Sequence, residues 1–156
     1  MATPEPPGLL VVACAVALAG DAVLLVRHTE HGGNLTGSWG LPAGRAEPGE
    51  DVVATALREL EEETGLVVRR EDAVPLEVGH LVMIRRKAGV RPVSLHAVLV
   101  RRWAGRLRPS RETEPAWVPI AGLPRVVGLL PATVEIVDDA LRAAGTPGPG
   151  PGAARG

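Results

Sequence analysis

Residues 58–63 read Arg-Glu-Leu-Glu-Glu-Glu, a concentration of charge that a surface helix does not need. Glu59, Glu62 and Glu63 stand at i, i+3 and i+4, the spacing that gathers side chains on one face of an α-helix. Like charges so placed repel, and the repulsion is relieved when a doubly positive ion sits among them. Carboxylate oxygens on a rigid element suit a hard cation: magnesium takes one or two carboxylates, keeps several waters and binds phosphate oxygens. A site of that kind neutralises a diphosphate, polarises its phosphorus and activates a water. Arg58 reaches Glu62 at i+4 and Glu61 at i+3, so it can orient a carboxylate and offset part of the repulsion.

The element that must carry these groups is framed by its ends. Pro48-Gly49 forms a turn, and Glu50 and Asp51 then fall where acids favour a helix N-terminus. Gly65 is placed as the helix stop. Between them Val53, Leu57 and Leu60 recur at spacings of four and three, which predicts the buried stripe.

Around this helix the chain reads mostly as strands. Residues 9–19 are an unbroken apolar run, too short for a membrane span. A signal peptide is the rival reading, but residues 1–8 carry Glu5 and no Lys or Arg, so the basic start is missing. A buried strand is the better reading, which implies a soluble, cytoplasmic protein. A second strand over 21–27 follows the Gly20-Asp21 turn as a hairpin. Residues 28–38 read as a polar, glycine-rich loop. His28 and His31 lack the partners of a zinc site and read as exposed loop residues. Trp39 to Leu41 is a short extended piece, and a short strand through Val68 is expected. Residues 77–86 and 92–103 read as strands joined through Ala88-Gly89, residues 106–115 as loop, and residues 117–119 as extended. Residues 131–144 predict a terminal helix with Val134, Val137, Ala140 and Leu141 inward. The order of strands, helix, strands, helix predicts an α/β fold with a mixed sheet between helices.

Composition narrows the function classes. The 156 residues are 46% hydrophobic and 22% charged, so one ordinary globular domain is expected. There is no Phe or Tyr and only three Trp, which disfavours nucleic-acid binding by base stacking. Trp39 and Trp117 read as packing residues. The single Cys14, in apolar surroundings, reads as a small core residue rather than a nucleophile. Acidic residues crowd between 47 and 72, and the basic residues from Arg85 to Arg111 are uninterrupted by any acid, a pairing that suits a metal-plus-phosphate ligand.

With these residues in view, the chain resembles the Nudix hydrolases. Their signature is Gly, five residues, Glu, seven residues, Arg-Glu, an aliphatic, any residue, Glu-Glu, any residue, Gly and an aliphatic. Gly44, Glu50, Arg58, Glu59, Leu60, Glu62, Glu63, Gly65 and Leu66 meet every fixed position. Residues 24–27, 38–44, 117–119 and 123–124 are similar to flanking segments of the family, with Ala43 where Gly is common. The resemblance implies a Nudix-like α/β/α sandwich with a mixed β-sheet over residues 9–144. Residues 1–8 are then a disordered leader and residues 145–156 a disordered Pro/Gly tail.

The resemblance also implies the chemistry. Water would attack a phosphorus of a nucleoside diphosphate linked to another moiety, such as a nucleoside triphosphate or a nucleotide sugar. Glu59, Glu62 and Glu63 would hold Mg2+, or Mn2+ in its place, with the Gly44 carbonyl as a further ligand. Arg58 and Glu50 would orient them. Glu59 is a candidate for the carboxylate that handles the attacking water, and Glu112 or Glu114 from a later loop is the alternative. Arg27 is a candidate phosphate contact. A homodimer is compatible with this reading. The competing class is a non-catalytic Nudix-like domain that binds a nucleotide as a sensor, in which eroded carboxylates would be expected. A non-hydrolytic family activity such as isomerisation is the third.

Overall fold

A computed structural model describes residues 9–86 and 89–145. The expected leader at residues 1–8, the tail after Gly145 and the hairpin turn at residues 87–88 lie outside the described residues.

Strand β1 (Leu10–Ala19) is the axis of the fold. It turns at Gly20, φ +59°, into antiparallel β2 (Ala22–His28), with Ala19 opposite Ala22. The remaining strands are β3 (Trp39–Gly40), β4 (Ala43–Arg45), β5 (Ala73–Pro75), β6 (His80–Arg86), β7 (Gly89–Val100) and β8 (Thr113–Pro119). The sheet is mixed, because β7 runs parallel to β1 while every other pairing is antiparallel. The central order is β3-β2-β1-β7-β5, with β8 added to β2, β4 to β1 and β6 to β7.

Two helices cover the two faces: α1 (Val52–Thr64) and α2 (Thr133–Ala143). Successive side chains of a strand point to opposite faces, and β1 shows what that requires when both are covered. Ala13, Ala15 and Ala17 face Ala56 and Leu60 of α1, while Cys14, Val16 and Leu18 face Ile136, Val137 and Ala140 of α2. The unbroken apolar run of residues 9–19 is therefore a doubly buried strand. Its alanines all lie on one side, so α1 can pack close to the sheet. Among the described residues no helix is long and apolar enough to cross a membrane.

Several expectations are corrected. The buried side of α1 is Thr55, Ala56, Leu60 and Thr64, with Val53 and Leu57 only half-buried beside it. Thr64 can be buried because its hydroxyl donates to the Leu60 carbonyl at 2.6 Å. Val68 is in no strand; Val67 makes an isolated bridge to Ala104, and the strand that follows is β5. The expected loop over 106–115 ends three residues early, since β8 starts at Thr113 and pairs with β2 along seven positions. In α2 the buried set includes Ile136, which the expected stripe lacked.

Candidate active site

The helix that carries the carboxylates is capped at both ends. The Asp51 side chain accepts the Ala54 N–H at 2.8 Å. Gly65 adopts φ +88° and its N–H closes on the Glu61 carbonyl at 2.9 Å. Strand β4 runs beside the helix, pinned to β1 with Gly44 opposite Ala13. This pairing brings the Gly44 backbone against the carboxylate face.

Arg58 is the hub of that face. Its Nε and Nη2 donate to the two oxygens of Glu50 at 2.7 and 2.9 Å, a bidentate pair. Nη1 donates to Glu59 at 2.9 Å and to Glu62 at 3.3 Å, and Nη2 also reaches the Arg45 carbonyl at 3.0 Å. Glu50 further accepts the Glu47 N–H and the Thr55 hydroxyl. The Arg58 guanidinium, aided by the Glu47 N–H, holds the Glu50 carboxyl at about 2, below its ordinary 4.5. Glu50 is thus an anchor for Arg58 and is fully engaged.

Glu63 is in a different state. Burial pushes the Glu63 carboxyl well above the usual carboxylate range, and the hydrogen bond and charge of Glu59 push the same way. The Ala43 N–H, at 3.4 Å, opposes this only in part. Two carboxyl groups held together must share either a proton or a cation. Glu62 is more exposed and leans on Arg58. Among the described residues no three His, Cys, Asp or Glu side chains already converge as a closed metal shell. The donor set nevertheless fits a hard divalent ion: oxygen ligands only, two of them pressed together, beside a glycine backbone.

Glu59, Glu62 and Glu63 line a cavity of about 400 Å3, closed on the other side by His28, Gly32, Leu35 and residues 110–113. The 110–113 segment is tied down from both directions. Thr29 donates its N–H to the Glu112 carbonyl and its hydroxyl to the Arg111 carbonyl, at 2.9 and 2.7 Å. The buried Thr113 hydroxyl donates to the Glu63 carbonyl at 3.1 Å, which joins this segment to the end of α1.

A second cavity of about 410 Å3 adjoins the first and shares His28 and Leu35 with it. Leu10, Val12, Leu41, Val82, Val93 and Leu95 make its apolar wall, Asn34, Ser38 and Arg45 add polar groups, and Gly44 is part of its lining. A third cavity, about 650 Å3, shares Ser110 and Arg111 with the carboxylate cavity.

The candidate residues therefore separate. Gly44, Arg58, Glu59, Glu62 and Glu63 form one cluster, and Glu112 faces it across the cavity. Arg27 and Glu114 are register partners on β2 and β8, form an ion pair, and line only the third cavity. His28 is no exposed loop residue: it ends β2, is half-buried and lines both the carboxylate and the apolar cavity. The signal was available in the strand period. Leu24 packs on α1, and a side chain four positions further along falls on the same face. His80 and His96 bond to Asp139 and Ser94. The Trp117 ring packs against Trp103 at 5.3 Å, and Trp39 packs against the α2-side core.

The sequence profile of the NUDIX domain matches residues 8–139. This chain belongs to the Nudix hydrolase family. It is 36% identical over 131 residues to the 8-oxo-dGDP phosphatase NUDT18 of Homo sapiens, matching 78% of this chain but spanning only 37% of that protein's length. Among solved structures it is similar to the MutT NUDIX hydrolase from Burkholderia pseudomallei, with TM-score 0.68, 25% identity, and coverage of 84% of this chain and 97% of that one. The Nudix fold is also shared with a bifunctional NMN adenylyltransferase/ADP ribose pyrophosphatase from Francisella tularensis, solved with AMP and a manganese ion. There the TM-score is 0.67 at 20% identity, over 90% of this chain and 43% of that one.

Proposed function

We propose that residues 9–144 form a divalent-cation-dependent pyrophosphohydrolase that cleaves a phosphoric anhydride bond of a cytoplasmic nucleoside diphosphate derivative. The observation that carries this reading is the gathering of Glu59, Glu62 and Glu63 in the lining of one cavity, which shares His28 and Leu35 with an apolar pocket. Glu59, Glu62, Glu63 and the Gly44 carbonyl would hold Mg2+, with Mn2+ as the alternative. When bound, the cation supplies charge neutralisation at the diphosphate and makes a water more acidic.

The chain's own groups do the rest. Arg58, fixed by Glu50, holds Glu59 and Glu62 in place. Water attacks a phosphorus above these carboxylates, the bridging P–O bond breaks, and the bridging oxygen leaves with the other phosphoryl group. Glu59, or Glu112 from the opposite wall, takes the water's proton. The apolar cavity suits the nucleoside: a mostly aliphatic wall with few polar groups selects by shape rather than by aromatic stacking. The name of the human relative adds an oxidised guanine diphosphate to the substrates worth testing.

The test is a panel of nucleoside diphosphates (8-oxo-dGDP among them), triphosphates, nucleotide sugars and dinucleotides, with and without Mg2+, in isotopically labelled water. Cation-dependent release of a nucleoside monophosphate is expected, and the label identifies the attacked phosphorus. Nucleotide binding by calorimetry without turnover across the panel would instead establish the sensor reading. The intact carboxylate set favours the hydrolase.

A further inference from the structure

The three cavities form a series, in which the carboxylate cavity shares His28 and Leu35 with the apolar one and Ser110 and Arg111 with the third. If a substrate's nucleoside lies in the apolar cavity and its reacting phosphorus over the carboxylates, the departing phosphate points toward Arg111. Arg111 is exposed, and among the described residues its guanidinium has no ion pair or hydrogen bond partner. It differs in this from Arg58, held by four glutamates, and from Arg27, held by Glu114. Arg45 is also without an ion pair, but it lines the apolar cavity. Of the residues lining the carboxylate cavity, Arg111 is the one permanent cation, set among Glu59, Glu62, Glu63 and Glu112. The backbone that presents it is fixed by the Thr29 hydroxyl on its own carbonyl.

We infer that Arg111 grips the phosphate that leaves, and that the third cavity accommodates whatever that phosphate carries. A guanidinium offers a planar fork that matches phosphate oxygens, and here its charge is not neutralised beforehand. The inference rests on reading the carboxylate cavity as the place of cleavage. It makes Arg111 a substrate-binding residue that acts on the leaving half and leaves the nucleoside half alone.

The two halves can be titrated separately, with Mg2+ present, as pyrophosphate and as a nucleoside monophosphate. Calorimetry on the wild type, Arg111→Ala and Arg111→Lys is expected to show pyrophosphate affinity reduced about 10- to 100-fold in the alanine variant. The lysine variant is expected in between, because it keeps the charge and loses the fork. Nucleoside monophosphate affinity and melting temperature are expected to stay at wild-type values. The inference is overturned if the wild type does not bind pyrophosphate, if Arg111→Ala binds it as tightly, or if both ligands weaken together. Turnover is a separate readout: pyrophosphate binding through Arg111 with no hydrolysis of any nucleotide leaves Arg111 as the phosphate ligand of a binding domain and overturns the hydrolase reading.

Discussion

The Glu59 side chain occupies the space that a side chain on residue 44 would need. A Cβ there would overlap the Glu59 carboxylate and stand 2.8 Å from its Cγ. The glycine that opens the signature is therefore required by the carboxylate fifteen positions later, across the gap between β4 and α1. Gly44→Ala must push Glu59 away from Glu63 and Arg58. We expect turnover to fall by about 100-fold, the usual penalty for an ångström-scale misplacement of a reacting group, with circular dichroism unchanged. Wild-type kinetics in this variant would remove Glu59 from the proposed mechanism.

Glu63→Gln tests the crowded carboxylate pair. Because the folded-state pKa of Glu63 is raised above 4.5, the stability linked to its proton is complete below that pH and is lost as pH rises above it. The metal-free variant should therefore melt higher than the metal-free wild type at pH 8, and the two should converge toward pH 4. Added Mg2+ should raise the melting temperature of the wild type and leave the variant nearly unmoved, while most turnover disappears. A variant that retains near-wild-type rates would refute the ligand assignment.

Arg58 and Glu50 form a unit whose pH dependence has the opposite sign. The Glu50 carboxyl titrates at about 2 when folded and near 4.5 otherwise, so its contribution is complete above 4.5 and fades as pH falls toward 2. The melting-temperature gap between wild type and Glu50→Gln should be constant from pH 7 to 5 and then close through that window. Arg58→Ala, which releases Glu59 and Glu62 together, should lower kcat/KM by about 10- to 100-fold, as loss of a group that orients ligands does. Arg58→Lys should recover little, since the fork to Glu50 is gone.

Gly65 tests the end of the helix. It sits at φ +88°, and a Cβ there would meet the Arg106 carbonyl. Gly65→Ala should cost at least about 1–2 kcal/mol from the left-handed backbone alone, measured by urea unfolding, with further loss from the contact. A variant as stable as wild type would mean that the helix does not need this cap.

What the chain disclosed about itself was the local part. The spacing of Glu59, Glu62 and Glu63, the glycine at each end of the motif and the apolar run of β1 are periodic or positional signals, and they carried the helix, the central strand and the family. Beyond the hairpins of β1 with β2 and β6 with β7, strand pairing was not legible, because it depends on partners far along the chain. The Arg27 and Glu114 pair exists only because β8 lies in register along β2, a fact that no local pattern contains. The same holds for His28, whose strand period was readable but whose neighbours were not, and for Arg111, one of many arginines in a basic stretch. The sequence by itself determined which residues form the carboxylate cluster, since they follow one another on a single helix. Only the tertiary structure decided what faces that cluster, because the opposite walls of the cavity come from the end of β2, the loop after it and the segment before β8, brought together by the sheet.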